Sequence, residues 1–373
     1  DFDNKDDPVL WDKTISNVLG DDFPYFATPG GSDIVKWDQY QLILQDRLDK
    51  IPDAECIGDL GIKSSCTYKG LFFTLSSPGL KDSGHGAFIE NQLNNNDHTW
   101  RICTWERTTA LMQVGIKTAL DNWEVYENCK DGGAIIATGH AHSYSRTKTL
   151  TDIENQIVDT EWPEPNNLRV KEGATFVFVS ALGGHPNLAK DIPIQTRCLP
   201  ITYPYGCNGE WASIYTASQD ANHGALFCTF NVDGQPNKAY CYFKNIDGRI
   251  IDEFTVTSFV GTSSDNTSLA NVDEKLIHAN ADLRVAFIAE QSLSPDAIAV
   301  LNLIKDERAG MVLHQGDFDN KDDPVLWDKT ISNVLGDNFP YFATPGGSDI
   351  AKWNHYQRIL QDRLNKIPDA ECI

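Results

Sequence analysis

The chain has 373 residues, of which 41% are hydrophobic and 10% aromatic, so it carries enough apolar side chains for a large core. Its formal net charge of −22 would repel the phosphates of nucleic acids and anionic membranes, and neither class of partner is expected. Membrane insertion is not expected either, because no apolar run approaches transmembrane length.

A long internal repeat organises the sequence. Residues 1–57 recur as residues 317–373, and the two copies differ at only six of their 57 positions. The period of 316 residues is the size of a domain and far longer than a solenoid repeat. We therefore expect the chain to be a window of a tandem array, and such arrays usually build fibres, stalks or coats.

The repeat sets the predicted domain boundaries. Residues 1–260 would hold most of one domain that lacks its first strand–helix–strand unit. Residues 261–270 are polar and lack apolar periodicity, so they would form a linker between repeats. Residues 271–373 would then be the start of the next repeat. The linker contains the sequon Asn266-Thr267-Ser268, and a glycan on Asn266 is expected on a secretory route.

Two helices are predicted within the first copy. Asp7-Pro8 starts a helix that ends before Gly20 and buries four residues: Trp11, Ile15, Val18 and Leu19. The second helix is indicated by the positions at which the two copies differ, five of which fall at helical spacing. The two copies keep the same residues on one side of it, Trp37, Tyr40, Leu44 and Leu48. They differ on the other side, at the pairs Val35/Ala351, Asp38/Asn354, Gln39/His355, Leu42/Arg358 and Asp49/Asn365. Because an exposed face tolerates such changes and a packed face does not, the shared side should be buried.

Continuous apolar runs predict buried strands at 134–137, 175–179, 285–288 and 311–313. Between the last two runs, Ser294-Pro295-Asp296 predicts a helix start, and Ile298, Leu301 and Ile304 mark its inward face. Strands alternating with helices in this way indicate an α/β layered domain.

The cysteines predict a disulfide framework. One period carries eight cysteines, because Cys372 is the copy of Cys56. Close spacing suggests the pairs Cys56–Cys66, Cys198–Cys207 and Cys228–Cys241, and leaves Cys103–Cys129 by exclusion. The third pair flanks an Asp233-Gly234 turn and would bridge a hairpin. Eight buried free thiols in a cytosolic protein are the alternative, but an extracellular or cell-surface protein fits better.

Ligand-type side chains follow two of the predicted strands. His140 and His142 come after the run at 134–137, and Asp317, the copy of Asp1, comes after the run at 311–313. Two imidazoles at i and i+2 can each reach a different ion of a metal pair. Open α/β sheets place their chemistry at such strand ends. The other histidines, His85, His98, His185, His223, His278 and His314, lack partners at ligand spacing and favour structural roles.

Five strand-end motifs together resemble the calcineurin-like metallophosphoesterase family, in its purple-acid-phosphatase-like branch. In family order they are Ala289-Glu290-Gln291-Ser292, Gly316-Asp317-Phe318-Asp319-Asn320, Gly30-Gly31-Ser32-Asp33, Cys103-Thr104-Trp105-Glu106 and Gly139-His140-Ala141-His142-Ser143-Tyr144-Ser145-Arg146. The resemblance spans the whole period. It implies a two-sheet sandwich flanked by helices, and a two-metal site that hydrolyses phosphate esters.

The motifs depart from the family at most ligand positions. Glu290 stands where the family has Asp, and Glu106 stands where it has a ligand His. Gly31 and Ser32, repeated as Gly347 and Ser348, replace the metal-binding Asn and the acid His. The residual metal candidates are Glu290, Asp317, Asn320 (copy of Asn4), Glu106, His140 and His142.

Those departures set the expected chemistry. Loss of a general acid typically costs about 10²–10⁴-fold in rate, and Ser32 cannot act as an acid near neutral pH. We expect no catalytic residue at that position, no active two-metal centre, and either no cofactor or one residual Ca²⁺ or Zn²⁺ ion. An empty, collapsed site in which the histidines only form hydrogen bonds is the alternative.

The sequence therefore favours a structural protein, an extracellular filament or sheath of tandem, catalytically degenerate domains whose partners are copies of itself. Two other functions stay open. One is an active secreted phosphoesterase with unusual Glu ligands; the other is an adhesion or glycan-binding module. For assembly we expect a covalent array; the alternative is exchange of the Val285–Gly316 unit between separate chains.

Overall fold

The fold is given by a computed structural model. It describes residues 28, 37–51, 54–114, 122–184, 188, 203, 205–261, 283–290, 294–315, 323–336, 339, 341–344 and 356. The predicted α/β class is confirmed, since two large sheets pack on each other and helices flank them.

The first large sheet has eight strands in the order β1-β2-β3-β4-β5-β10-β6-β11. Their bounds are β1 Ala54–Asp59, β2 Lys63–Tyr68, β3 Leu71–Ser76, β4 Trp100–Trp105, β5 Ile135–Thr138, β6 Tyr144–Thr147, β10 Val177–Ser180 and β11 Trp211–Tyr215. The central strands β3, β4, β5 and β10 run parallel, and β4, β5 and β10 are buried along their whole length. The strands predicted at 134–137 and 175–179 are β5 and β10. A separate two-stranded sheet pairs β7 Leu150–Asp152 with β8 Ile157–Val158.

The second large sheet has seven strands in the order β17-β16-β15-β12-β13-β14-β9. Their bounds are β9 Asn167–Val170, β12 Gly224–Phe230, β13 Lys238–Asn245, β14 Ile250–Ser258, β15 Leu283–Ile288, β16 Met311–Gln315 and β17 Tyr341–Thr344. Strand β15 pairs antiparallel with β12, and β15, β16 and β17 run parallel to one another. The runs predicted at 285–288 and 311–313 are therefore confirmed as neighbouring strands.

Five helices cover the sheets in the described residues: α1 Trp37–Leu48, α2 His85–Asn94, α3 Trp123–Asp131, α4 Pro295–Asp306 and α5 Pro324–Leu335. Helix α4 starts as predicted, since the Ser294 hydroxyl accepts a hydrogen bond from Ala297 N at 3.1 Å. Its predicted face is partly wrong. Leu301 and Ile304 are buried, but Ile298 is 39% exposed, because the stripe that contacts the sheet runs through Ala297 and Val300 instead. No described helix has the length and apolar character needed to cross a bilayer.

The faces predicted from the two copies agree with the described residues. Trp327, Ile331, Val334 and Leu335, the copies of Trp11, Ile15, Val18 and Leu19, are buried in α5. In α1, Leu48 is buried, whereas Asp38, Leu42 and Asp49 are exposed. Tyr356, the copy of Tyr40, is fully buried. The first copy of the α5 sequence, residues 8–19, lies outside the described residues.

The main core lies between the two sheets, and aromatic rings from both sides fill it. Phe178 of β10 contacts Phe287 of β15 edge to face at 5.2 Å, and Tyr144 of β6 stacks on Phe243 of β13 at 4.2 Å. A second cluster, between the first sheet and helices α2 and α3, includes Trp105 and Tyr126. The first sheet is thus apolar on both faces, which explains the continuous apolar runs of its central strands.

Three of the predicted disulfides are confirmed: Cys56–Cys66, Cys103–Cys129 and Cys228–Cys241. The last pair bridges opposed residues of the β12–β13 hairpin, as its spacing indicated. Cys207 is also disulfide-bonded, but its predicted partner Cys198 lies outside the described residues.

The second sheet is completed by a segment that follows the rest of the domain in the chain. We call residues 283–344 the closing segment; it supplies β15, α4, β16, α5 and β17. We call residues 37–261 the body; it supplies all the other described strands and helices. One copy of the repeat thus contributes α5 and β17, and the other contributes α1 and the start of β1.

Candidate functional site

The candidate site lies where strand ends from the two sheets meet. Glu106 follows β4, His140 and His142 follow β5, and Glu290 follows β15. The first three come from the first sheet and the last from the second. All four are buried: Glu106 is 1% exposed, His140 9%, His142 7% and Glu290 0%. Four ligand-type side chains are therefore withdrawn from water in one place.

Gly139 allows this close approach. A Cβ atom built on Gly139 would lie 2.4 Å from the backbone oxygen of Gln315 and 3.0 Å from the Cβ of Ala289. Both neighbours belong to the closing segment. Only glycine lets the end of β5 lie against the ends of β15 and β16. We call this boundary between the strand ends of the two sheets the seam. Two hydrogen bonds also cross it, from Ser180 Oγ to Phe287 O at 2.8 Å and from Gly183 N to Ala289 O at 2.7 Å.

The four side chains form two carboxylate–imidazole pairs. His140 Nδ1 lies 2.5 Å from Glu106 Oε1, and His142 Nε2 lies 2.5 Å from Glu290 Oε2. The ligand atoms of Glu106, His140 and Glu290 all lie within 4.8 Å of one another. This spacing is compact enough for one ion to contact several of them.

Three of the four site residues have a left-handed backbone. The φ angles are 71° at His140, 45° at His142 and 57° at Glu290. This conformation is uncommon for residues other than glycine and costs on the order of 1–3 kcal/mol at each position. Such outliers cluster at binding and catalytic sites, so the backbone marks this seam independently of its side-chain chemistry.

One carboxylate oxygen of the site is left without a hydrogen bond. Arg107 Nε lies 3.8 Å from this oxygen, Glu106 Oε2. Within the described residues, that oxygen accepts no hydrogen bond. A buried carboxylate oxygen without a donor is costly unless a cation or water reaches it. The donor atoms of Glu106, His140 and Glu290, two carboxylates and one imidazole, suit one divalent ion such as Zn²⁺.

The structure brings together Glu106, His140, His142 and Glu290 of the predicted ligands. The others, Asp317 with its copy Asp1, Asn320 with its copy Asn4, and the acid position Ser32/Ser348, lie outside the described residues, as does Asn266. The sequence analysis missed Gln315, which is buried and contacts Gly139 at the seam. Its place at the end of an apolar run, directly before Gly316-Asp317, was the available signal.

Tyr144 and Arg146, from the same motif as the histidines, have a different role. Arg146 is fully buried and forms a bidentate pair with Asp252 of the other sheet, with Nε–Oδ2 at 2.6 Å and Nη2–Oδ1 at 2.8 Å. The Tyr144 hydroxyl donates to the same carboxylate at 2.6 Å. Burial and the Asp252 charge raise the pKa of Tyr144 well above its ordinary value, so it stays a neutral donor. We call Tyr144, Arg146 and Asp252 the inter-sheet staple.

No protein-family model and no curated protein matches this chain. Among solved structures, it is similar to a purple acid phosphatase isolated from yellow lupin (Lupinus luteus) seeds, with 18% sequence identity and a TM-score of 0.39. The similarity covers 57% of this chain and 37% of the lupin chain. The chain thus matches little more than a third of that protein's length, and assignment to the metallophosphoesterase family stays a proposal.

Proposed function

We propose that this chain is a structural repeat: a metallophosphoesterase-like domain that no longer hydrolyses phosphate esters and is multiplied head to tail in an extracellular filament or sheath. The observation that carries the proposal is the match between the sequence period and the fold. The body lacks three strands of the second sheet, and the closing segment that follows it supplies them. On this proposal, one period of 316 residues encodes one complete domain.

The site chemistry supports a role without turnover. Hydrolysis by two metals needs two ions about 3.5–4 Å apart that stabilise the attacking and leaving oxygens. Glu106, His140 and Glu290 provide three donor side chains within reach of one ion. Glycine and serine at positions 31 and 32 add neither a strong ligand nor an acid. A single Zn²⁺ held by these three residues would tie β4 and β5 of the body to β15 of the closing segment.

An extracellular location is supported by the cysteines. Three disulfides in one domain are typical of proteins that fold in an oxidising compartment. The sequon at Asn266 lies in the predicted linker, where a glycan would keep neighbouring domains soluble. The partners of each domain are then other copies of the same unit.

Electron microscopy of the native, unreduced protein tests the proposal. We expect filaments with an axial repeat close to one domain, and a denatured, reduced chain that is several periods of 316 residues long, and so well above 41.5 kDa. Discrete particles together with a chain of one period would overturn the filament.

The strained backbone at His140, His142 and Glu290 favours a second candidate, an active phosphoesterase that uses Glu106 and Glu290 as ligands. Metal analysis and p-nitrophenyl phosphate turnover separate the two. The structural proposal expects at most one ion per period and no turnover above the rate of a Glu290→Gln variant. Two ions per period with enzyme-like turnover would favour the enzyme.

A further inference from the structure

We infer that Cys56 is a site of thiol–disulfide exchange, where an external thiol opens the Cys56–Cys66 disulfide of the folded protein and loosens the edge strand β1. Three disulfides have both cysteines among the described residues, and their burial differs. Cys56 is partly exposed, and Cys66 is 1% exposed. Each cysteine of the other two disulfides is at most 2% exposed. Of these three disulfides, Cys56–Cys66 is therefore the one that a thiol in solution can reach.

Cys56 lies on a strand that is open on one side. Strand β1 is the outermost strand of the first sheet and pairs with β2 alone among the described strands. Four of its six residues are exposed, including Ile57 at 56%. Cys56 and Cys66 lie directly opposite one another in this pair, so the disulfide ties the edge strand to the rest of the sheet. Segments with few buried side chains open locally at a lower free energy than core strands.

The Cys228–Cys241 disulfide has the same construction in the middle of the second sheet. Its cysteines are also opposed in an antiparallel hairpin, and the Cα atoms are 4.1 Å apart in both disulfides. Strands β12 and β13, however, each have a neighbouring strand on both sides. A thiol can reach this disulfide only when a large part of the sandwich opens. The two disulfides thus differ in their place in the fold and not in how they join two strands.

The third disulfide is enclosed as well. It joins Cys103 of β4, a central strand of the first sheet, to Cys129 of α3, and both residues are 0% exposed. Cys207 is also disulfide-bonded and is exposed. It lies outside the described strands, so a reaction there releases none of them and is counted separately.

The exchange needs an external reductant, which is a low-mass thiol or a dithiol. Its thiolate attacks Cys56 Sγ, a new S–S bond forms, and Cys66 leaves as a thiolate that takes a proton from water. With a dithiol, the second thiolate closes a cyclic disulfide and Cys56 leaves in turn. The dithiol loses the two electrons that the protein disulfide gains. Burial of Cys66 shields the other sulfur, so the thiol enters at Cys56.

Opening the disulfide removes the covalent hold on a strand that protects the sheet edge. Glu55 and Asp59 of β1 are exposed acidic residues, and such charges discourage an edge strand from pairing with another chain. Strand β2, Lys63–Tyr68, has no acidic residue and is mostly buried. Loosening β1 therefore uncovers an edge that is less well protected. Cys372 repeats Cys56, so an array would carry one such site in every period.

Timed reduction of the native 373-residue chain tests the site. The protein is treated with dithiothreitol without denaturant, quenched with iodoacetamide at intervals, and its labelled cysteines are counted by peptide mass spectrometry. We expect Cys56 and Cys66 to be labelled at least about 100-fold faster than the other two pairs, which wait for global unfolding. In urea the three rates should converge. Equal rates for the three disulfides of the native protein, or earlier labelling of Cys228 and Cys241, would overturn the inference.

Glutathione identifies the sulfur that is attacked. A short pulse, stopped with acid and N-ethylmaleimide, should leave the glutathione adduct on Cys56 and the maleimide on Cys66. The reverse pattern would mean that the buried sulfur is the entry point, and the assignment of Cys56 would be wrong.

Hydrogen exchange measures the loosening of β1. After selective reduction, the amides of residues 54–68 should exchange faster, and those of the β12–β13 hairpin, residues 224–245, should not change. The double variant Cys56→Ser/Cys66→Ser should match the reduced protein, because it lacks only the covalent link. If residues 54–68 keep the protection of the oxidised protein in both, the disulfide does not hold β1.

Discussion

Two buried polar clusters cross the seam between the sheets, and they are built in opposite ways. In the inter-sheet staple, all five N–H donors of Arg146 are used: three go to Asp252 and Asn166, and two go to backbone oxygens of Thr147 and Pro165. The candidate site gathers Glu106, Glu290 and two histidines, and part of its backbone is left-handed. One cluster is complete within the protein, whereas the donors of the other suit an added cation.

The two clusters are expected to affect the stability of the protein in different ways. Replacing a complete buried ion pair by apolar side chains is often close to neutral for stability, whereas removing one partner is costly. A cluster of metal-type ligands instead gains stability from whatever binds it. The staple should therefore respond strongly to single substitutions, and the candidate site to divalent ions.

Arg146→Met should have the largest effect. It leaves the Asp252 carboxylate buried without its guanidinium, and we expect the free energy of unfolding to fall by about 3–5 kcal/mol. Urea unfolding followed by tryptophan fluorescence measures the change. The double variant Arg146→Met/Asp252→Leu should recover most of the loss. A double variant as unstable as the single one would mean that the staple is not a complete pair.

Zn²⁺ should stabilise the native chain and not the site variants. At a free concentration 100 times the Kd, an ion that binds only the folded state adds about 2.7 kcal/mol. We expect a thermal shift with Zn²⁺ that Glu106→Gln and Glu290→Gln each abolish. Glu253→Gln, which changes an exposed carboxylate of β14, is the control and should keep the shift. Equal shifts in all four proteins would place the ion elsewhere.

Gly139→Ala tests whether the seam positions the site. The added Cβ would clash with Gln315 O, so β5 must move away from the closing segment. We expect a stability loss of about 1–3 kcal/mol, as for other overpacked sites, and loss of the Zn²⁺ shift. The control is Gly173→Ala, where the new Cβ meets no atom within 4 Å and only its φ of 81° is strained. It should lose some stability but keep the Zn²⁺ response.

The two clusters also differ in how far the sequence could predict them. Local patterns indicated the strands at 285–288 and 311–313 and the Ser294 cap, because periodicity and capping act within a few residues. The strand-end motifs placed Glu106, His140, His142 and Glu290 in one site. The partner of Arg146 was not predictable, since Asp252 is 106 residues away and no local pattern connects them. The exposed Ile298 shows the same limit, because the sheet decides which stripe of α4 is buried.

His85 is a third kind of buried polar group, and its protonation should have the smallest effect on the free energy of unfolding. Its Nε2 donates to the backbone oxygen of Lys81 at 2.8 Å, so its Nδ1 accepts from Ser76 Oγ at 2.9 Å. Burial lowers the pKa of His85 below its ordinary value of 6.5. As pH falls through 6.5, the unfolded chain therefore takes up a proton that the folded chain does not, and stability decreases.

The difference in unfolding free energy between the native chain and His85→Gln isolates this contribution, because the other titrating groups are common to both. We expect the native chain to lose more stability than the variant between pH 7.5 and 5.5, in the presence of a chelator so that no ion contributes at the candidate site. Parallel losses would mean that the folded and unfolded chains protonate His85 alike. The hydrogen bonds from Ser76 and to Lys81 would then not be enough to keep the buried His85 neutral.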